Sequence, residues 1–340
     1  MKRIFTILIL TLATNCSFGQ FPISADTLYS FIKYNSIHRN KVNWAAIDID
    51  FRNNIAASKT INDTMSCFVK VFEKLSDVHS QIYLNNKFYG YYEQYNDSTI
   101  NLLRPLIEKS NNQTNKIYTE KLEEKYAYVV VPGMQVYDKV QINKLAQSLS
   151  DSMAKYSSKK IRGFIIDLRL NGGGNLYPML SGLSLLLGDN LVGYETDVND
   201  TVTRKWEIKN GNLNLANFQT TDIKTTSLKR LQNIPVVVLL GPVTRSSGSM
   251  TGITFKGRPN TYFIGEPTAN GYTTSNGYFQ FASNLTLNFA TNFVADRNKI
   301  IYKYSVKPDL EIYGGDNFDD LQKDKKISEA LKWLKKNNSR

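Results

Sequence analysis

The chain has 340 residues, 41% of them hydrophobic, with 42 Lys and Arg against 30 Asp and Glu and a formal charge of +12. That length suits one large domain or two smaller ones. The cations are spread along the chain without a basic block or a nucleic-acid motif, so the charge excess reads as an aid to solubility or loose surface attraction and excludes nucleic acid as the expected partner.

The first stretch, "MKRIFTILILTLATNCSFGQ", has two cations, an apolar run from Ile4 to about Ala13 and a small-residue flank, the pattern of a secretory signal peptide ending at Gly19. An exported chain is therefore expected, with lipid attachment at Cys16 as a minor alternative. Removing this peptide takes away Lys2 and Arg3, lowering the charge to +10, and leaves Cys67 without a disulfide partner. No later apolar stretch reaches membrane-spanning length, so stable membrane insertion is not expected.

Residues 20–120 read as a smaller, mainly helical region followed by a loop or hairpin segment. In "TMSCFVKVFEKLSDVHS", Cys67, Val71, Phe72 and Leu75 share one helical face, and His79 falls just past that helix. The tyrosine-rich "NNKFYGYYEQYNDS" suggests a hairpin or loop, and "EKSNNQTNK" is the best linker candidate.

From Tyr126 the pattern changes. "YAYVVVPGM" is a buried strand, Ile142, Leu145, Leu149 and Met153 mark a helix, and "GFIIDLRLNGGGN" is a strand entering a triple-glycine turn. The apolar "LYPMLSGLSLLLG", the strand "IPVVVLLG", the serine-rich "VTRSSGSM" and the strand "TYFIGEP" follow, before an amphipathic helix that faces Ile327, Leu331 and Leu334 inward. Strand and helix in alternation predict an α/β core with parallel strands covered on both faces.

Two turns and one histidine are the candidates for chemistry. Gly172–Gly174 can bend sharply and offer backbone N–H groups to an oxyanion, cradle a phosphate, or simply connect strand to helix. "TRSSGSM" can present a serine nucleophile or merely cap a helix. Of the two histidines, His79 has Asp77 and Ser80 beside it and can be a proton acceptor or an ordinary structural residue, whereas His38 reads as exposed. No ligand cluster for a metal and no cofactor motif is present, and Cys67 reads as a buried, inert thiol.

Taken in order, "GFIIDLRLNGGGN", "VVVLLGPVTRSSGSM", "GRPNTYFIGEPTANG" and "VKPDLEIY" resemble the tail-specific, or C-terminal-processing, protease family S41 over residues 121–340, and "LSDVHSQIYL" resembles a segment of its tricorn-like branch. The resemblance implies a ClpP/crotonase-like α/β catalytic core, Ser246 as nucleophile, His79 as base, and an oxyanion hole formed by Ser247 N–H and a glycine of the triplet, Gly174 with Gly173 beside it. Gly271 occupies the position of the lysine base found in the processing branch, so a Ser–Lys dyad is not expected. Ser249 and Tyr302 stand where the family carries acidic residues, leaving no carboxylate assigned to orient His79; the segment after His79 is too short for a PDZ insertion. The expected function is an exported serine peptidase acting on peptides or proteins by acyl transfer. The alternative is a weakly active or inactive relative that binds peptide or an apolar ligand in the same cleft, with specificity in either case assigned to the N-terminal region and the Phe88–Tyr95 loop.

Overall fold

The computed structural model describes residues 22–225 and 229–337. The expected signal peptide, residues 1–19, lies outside them. The apolar runs form a six-stranded sheet ordered Leu310–Glu311, Thr261–Gly265, Val236–Leu240, Gly163–Asp167, Tyr126–Val130, Tyr118–Leu122. All its pairings are parallel except the last, which is antiparallel.

Side chains alternate across a strand, so a sheet covered on both faces needs apolar residues at successive positions. Val236, Val238 and Leu240 face the helices Lys139–Ala154, Leu176–Gly182 and Ser247–Phe255, while Val237 and Leu239 face the C-terminal helix Lys325–Asn337 through Ile327, Ala330 and Leu334. The apolar segment after the glycines is broken at Leu183 into two short helices, Leu176–Gly182 and Ser184–Leu187.

A second, antiparallel sheet is unexpected as a sheet; only its edge hairpin, Gln81–Leu84 with Lys87–Gly90, overlaps the hairpin or loop read from the sequence. Its spine is the strand Leu285–Ala295, which pairs with Gln81–Leu84, Leu191–Thr196 and Thr274–Ala282. The helices of the N-terminal region pack on this sheet, with Phe51, Phe68 and Phe72 in one cluster with Leu285, Leu287 and Phe289. Cys67 is buried there as a free thiol.

The stretch expected to be a linker is instead structured. The helix Asp97–Asn112 runs through its first half, and Ser110 donates its hydroxyl to the carbonyl of Leu170 at 2.7 Å. A polar composition marks this segment as a connector, but its Ser110 hydroxyl holds the chain just before the glycine turn.

At the end of Gly163–Asp167 sits a buried ionic network. Arg169 contacts Asp167, Asp316 and Asp324 at 2.6–2.7 Å, and Lys326 contacts Glu266 and Asp316 at 2.7 and 2.8 Å. Burial alone would raise the Asp167 carboxyl; the Arg169 charge and its hydrogen bonds overcome this and hold it below the usual carboxylate range. Arg169→Met would leave Asp167 and Asp324 without their cation, while Asp316 keeps Lys326, and is expected to cost about 3–5 kcal/mol, read as a lowered urea midpoint.

Candidate active site

The strands Gly163–Asp167 and Val236–Leu240 lie side by side and parallel, with Ile166 opposite Val238, so the turns that follow them emerge together. Those turns are laced to each other. Arg245 N–H donates to the Asn171 carbonyl at 3.1 Å, and the Thr244 hydroxyl donates to the Leu168 carbonyl at 2.8 Å. Buried Asn171 ties its amide to the carbonyls of Val131 and Pro132 and accepts from Gly173 N–H at 3.0 Å.

Close approach explains the glycines. A Cβ on Gly173 would sit 2.8 Å from Ser246 Cβ, and one on Gly174 would sit 2.3 Å from the Met134 carbonyl oxygen. Both residues also have positive φ, +100° and +115°, which favours glycine.

Ser246 itself has φ 53° and ψ −127°, immediately before the helix Ser247–Phe255. Such a conformation costs roughly 1–3 kcal/mol in a non-glycine residue and persists only where the surroundings enforce it. The strained turn aims Oγ across the cleft at His79 Nε2, 2.9 Å away. Among the described residues, the N–H groups of Ser247 and Gly174 have no acceptor, whereas that of Gly173 is taken by Asn171. Ser247 Oγ donates to the Gly174 carbonyl at 2.5 Å, joining the two turns.

His79 arrives from the other sheet, between the helix Ile61–Leu75 and the strand Gln81–Leu84. Its Nδ1 lies 2.7 Å from Thr274 Oγ1, and Thr274 donates onward to Asn276 Oδ1 at 3.1 Å. Asn276 closes the loop by donating its amide to the His79 carbonyl at 2.9 Å. A Thr274 hydroxyl whose proton points to Asn276 accepts from Nδ1–H, which leaves Nε2 free to accept from Ser246. Tyr272 packs edge-on against the imidazole, with ring centroids 5.1 Å apart. Burial, then the Arg245 and His38 charges, lower the His79 pKa from 6.5 to about 3, so the ring is neutral at ordinary pH.

Thr274 and Asn276 are the members of this constellation that the sequence did not reveal. Asp77, the acid nearest His79 in the chain, turns away from the ring: its carboxylate accepts from the backbone N–H groups of His79 and Ser80 and from the Ser80 hydroxyl. It shapes the turn that carries His79. Tyr302 donates to Asp296 at 3.1 Å and does not reach the histidine's bonds. His38, expected to be exposed, is buried, its Nδ1 accepting from Lys41 at 3.2 Å.

The cleft beside Ser246 and His79 has a volume of about 250 Å³ and includes Tyr137, Tyr177, Trp206 and Tyr278 in its walls. None of the residues Phe88–Tyr95 lines it. A larger groove of about 930 Å³, between Tyr118–Leu122 and Phe318–Gln322, contains neither Ser246 nor His79. Among the described residues no cluster of His, Cys, Asp and Glu is arranged to hold a metal ion.

The sequence model of peptidase family S41 matches residues 125–312. The chain is 33% identical over 196 residues to the nisin-resistance protein of Lactococcus lactis subsp. lactis, a segment covering 57% of this chain and 56% of that relative. Its fold is similar to that of a lipoprotein from Streptococcus agalactiae, with a TM-score of 0.66 and 21% identity over 94% of this chain and 99% of the other. A crystal structure from Parabacteroides merdae is similar with a TM-score of 0.58 and 17% identity, over 91% and 95% of the two chains. The family match spans more than half of the chain and includes the strands that carry both turns: this protein belongs to peptidase family S41.

Proposed function

We propose that the chain is a serine peptidase that acts outside the cytoplasm and cleaves peptide bonds by acyl transfer. The observation that carries this reading is the 2.9 Å contact between His79 Nε2 and Ser246 Oγ, beside two unoccupied backbone N–H groups. Ser246 Oγ attacks the substrate carbonyl carbon while His79 accepts its proton, and the N–H groups of Ser247 and Gly174 receive the oxyanion. His79 then protonates the leaving amine, and a water that gives its proton to His79 hydrolyses the acyl-enzyme.

Thr274 acts as a positioning residue. In a Ser–His–Asp site, replacing the acid by an amide lowers kcat by about 10⁴ because the imidazole takes the wrong tautomer. Thr274 avoids that loss by accepting from Nδ1–H while its own proton goes to Asn276, although neither residue offers a negative charge to the imidazolium. The leader-like N-terminus supports export, and the relative named for nisin resistance makes nisin the first substrate to try.

Labelling of the mature protein with a fluorophosphonate tests the assignment. Labelling is expected in the wild type, absent in Ser246→Ala and His79→Ala, and retained at a reduced rate in Ser247→Ala, which keeps the backbone N–H but loses the bond to Gly174. A folded wild type that stays unlabelled would overturn the peptidase reading. Thr274→Val should slow labelling by roughly 10- to 100-fold, a part of the 10²–10⁴ that general base catalysis supplies, while Thr274→Ser largely preserves it. The pH profile supplies a further check. A base must be neutral to accept the proton, and burial holds His79 neutral down to about pH 3, so the labelling rate should show no acid limb near 6.5 and fall only as pH approaches 3.

A further inference from the structure

Glu195 lies on the strand Leu191–Thr196, opposite Val294 on one side and Arg204 on the other, and faces the cleft that holds Ser246 and His79. Its side chain is only 5% exposed. A carboxylate taken out of water at this depth is costly unless it is fully paired. Its pairing is lopsided. Oε1 accepts from Trp206 Nε1 at 3.2 Å and from Ser275 Oγ at 3.0 Å, whereas Oε2 receives no hydrogen bond from any described residue.

Arg204 does not complete the pair. It approaches at 3.5 Å, towards the same Oε1, and its side chain is 47% exposed. Two orderly parallel bonds to both oxygens would make a strong, closed contact; an approach no closer than 3.5 Å from a half-exposed side chain contributes little. The carboxylate is thus held rigidly by its two neutral donors, with one oxygen left for a further donor.

The rest of the cleft suits an aliphatic chain ending in a cation. Leu176, Tyr177, Trp206, Leu215 and Met250 supply apolar walls, against which the methylenes of a lysine or arginine can lie while the charged end is bound elsewhere. Ser275, which holds Glu195, directly follows Thr274, which holds His79, so the anionic subsite and the reacting atoms are braced by one strand.

We propose that Glu195 is a specificity residue whose free oxygen binds the side-chain cation of a Lys or Arg in the substrate, with Arg204 a weak competitor at the rim. This inference rests on the peptidase reading above and deepens it by naming the substrate class. It is tested by measuring how far benzamidine, and its uncharged analogue benzamide, slow fluorophosphonate labelling of Ser246. Each protein is compared with its own rate without competitor.

In the wild type, saturating benzamidine should slow labelling at least 5-fold and benzamide less than 2-fold. Glu195→Gln should abolish the difference between the two compounds, and Arg204→Ala should lower the benzamidine concentration needed for half-protection by several-fold. Equal effects of the two compounds on the wild type, or benzamidine protection that survives Glu195→Gln, would overturn the cation subsite while leaving the peptidase reading intact. Unchanged half-protection in Arg204→Ala would also overturn the proposed competition, and that variant remains informative if Glu195→Gln fails to fold. No labelling of the folded wild type removes the peptidase reading and this inference together.

Discussion

The side-by-side register of Gly163–Asp167 and Val236–Leu240 is the constraint on which the site depends. Because the two strands are parallel neighbours, their carboxyl ends finish at the same edge and deliver two turns into one small space. Ligand sites in open α/β sheets commonly form outside such strand ends. Here the turns have little freedom to separate, since Arg245 bonds to Asn171 and a side chain on Gly248 would strike the Asn171 carbonyl. The unusual backbone of Ser246 is a consequence: the turn is clamped from both sides, and the serine takes the conformation that remains.

The second half of the site depends on a different template. The strand Leu285–Ala295 pairs with Gln81–Leu84, which follows His79, and with Thr274–Ala282, which carries Thr274. Its third neighbour, Leu191–Thr196, carries Glu195. Residues nearly 200 positions apart in sequence, His79 and Thr274, are thus brought within 2.7 Å by backbone pairing to a common strand. Packing of Phe68 and Phe72 against Leu287 and Phe289 fixes the helix before His79 on the same sheet, so placement of the imidazole is coupled to burial of the N-terminal region.

This division explains what could be read from sequence. "VVVLL" and "GFIID" announce themselves because both faces of each strand are buried, and an uninterrupted apolar run bounded by glycine or proline has few other meanings. Strands such as "VTRKWEIK" and "TSNGYFQFA" carry polar residues on partly exposed faces, and their local pattern does not distinguish them from loops. Ser246, His79 and the glycines stood out through their turns and the family pattern. Thr274 had no such mark, because a threonine becomes an imidazole partner only through a long-range strand pairing. His38 misled for a related reason: its short polar segment gives no sign that Phe293, from a distant strand, lies edge-on to its ring at 5.8 Å.

The neutral partner of His79 also makes physical sense in its surroundings. A buried carboxylate behind the ring would need hydrogen-bond donors of its own, and the nearest acid, Asp77, already spends its oxygens on three groups that shape the turn. Thr274 carries no charge to desolvate, and Asn276 fixes its hydroxyl proton while also binding the His79 backbone. The arrangement therefore favours one tautomer of a neutral imidazole, the state needed to accept a proton. It provides less for the imidazolium that follows, where a carboxylate would contribute Coulomb attraction in a weakly screened interior. In the proposed reaction such a site is set for proton acceptance over a wide pH range, and its cost falls on the step that forms the imidazolium without a counter-charge behind it.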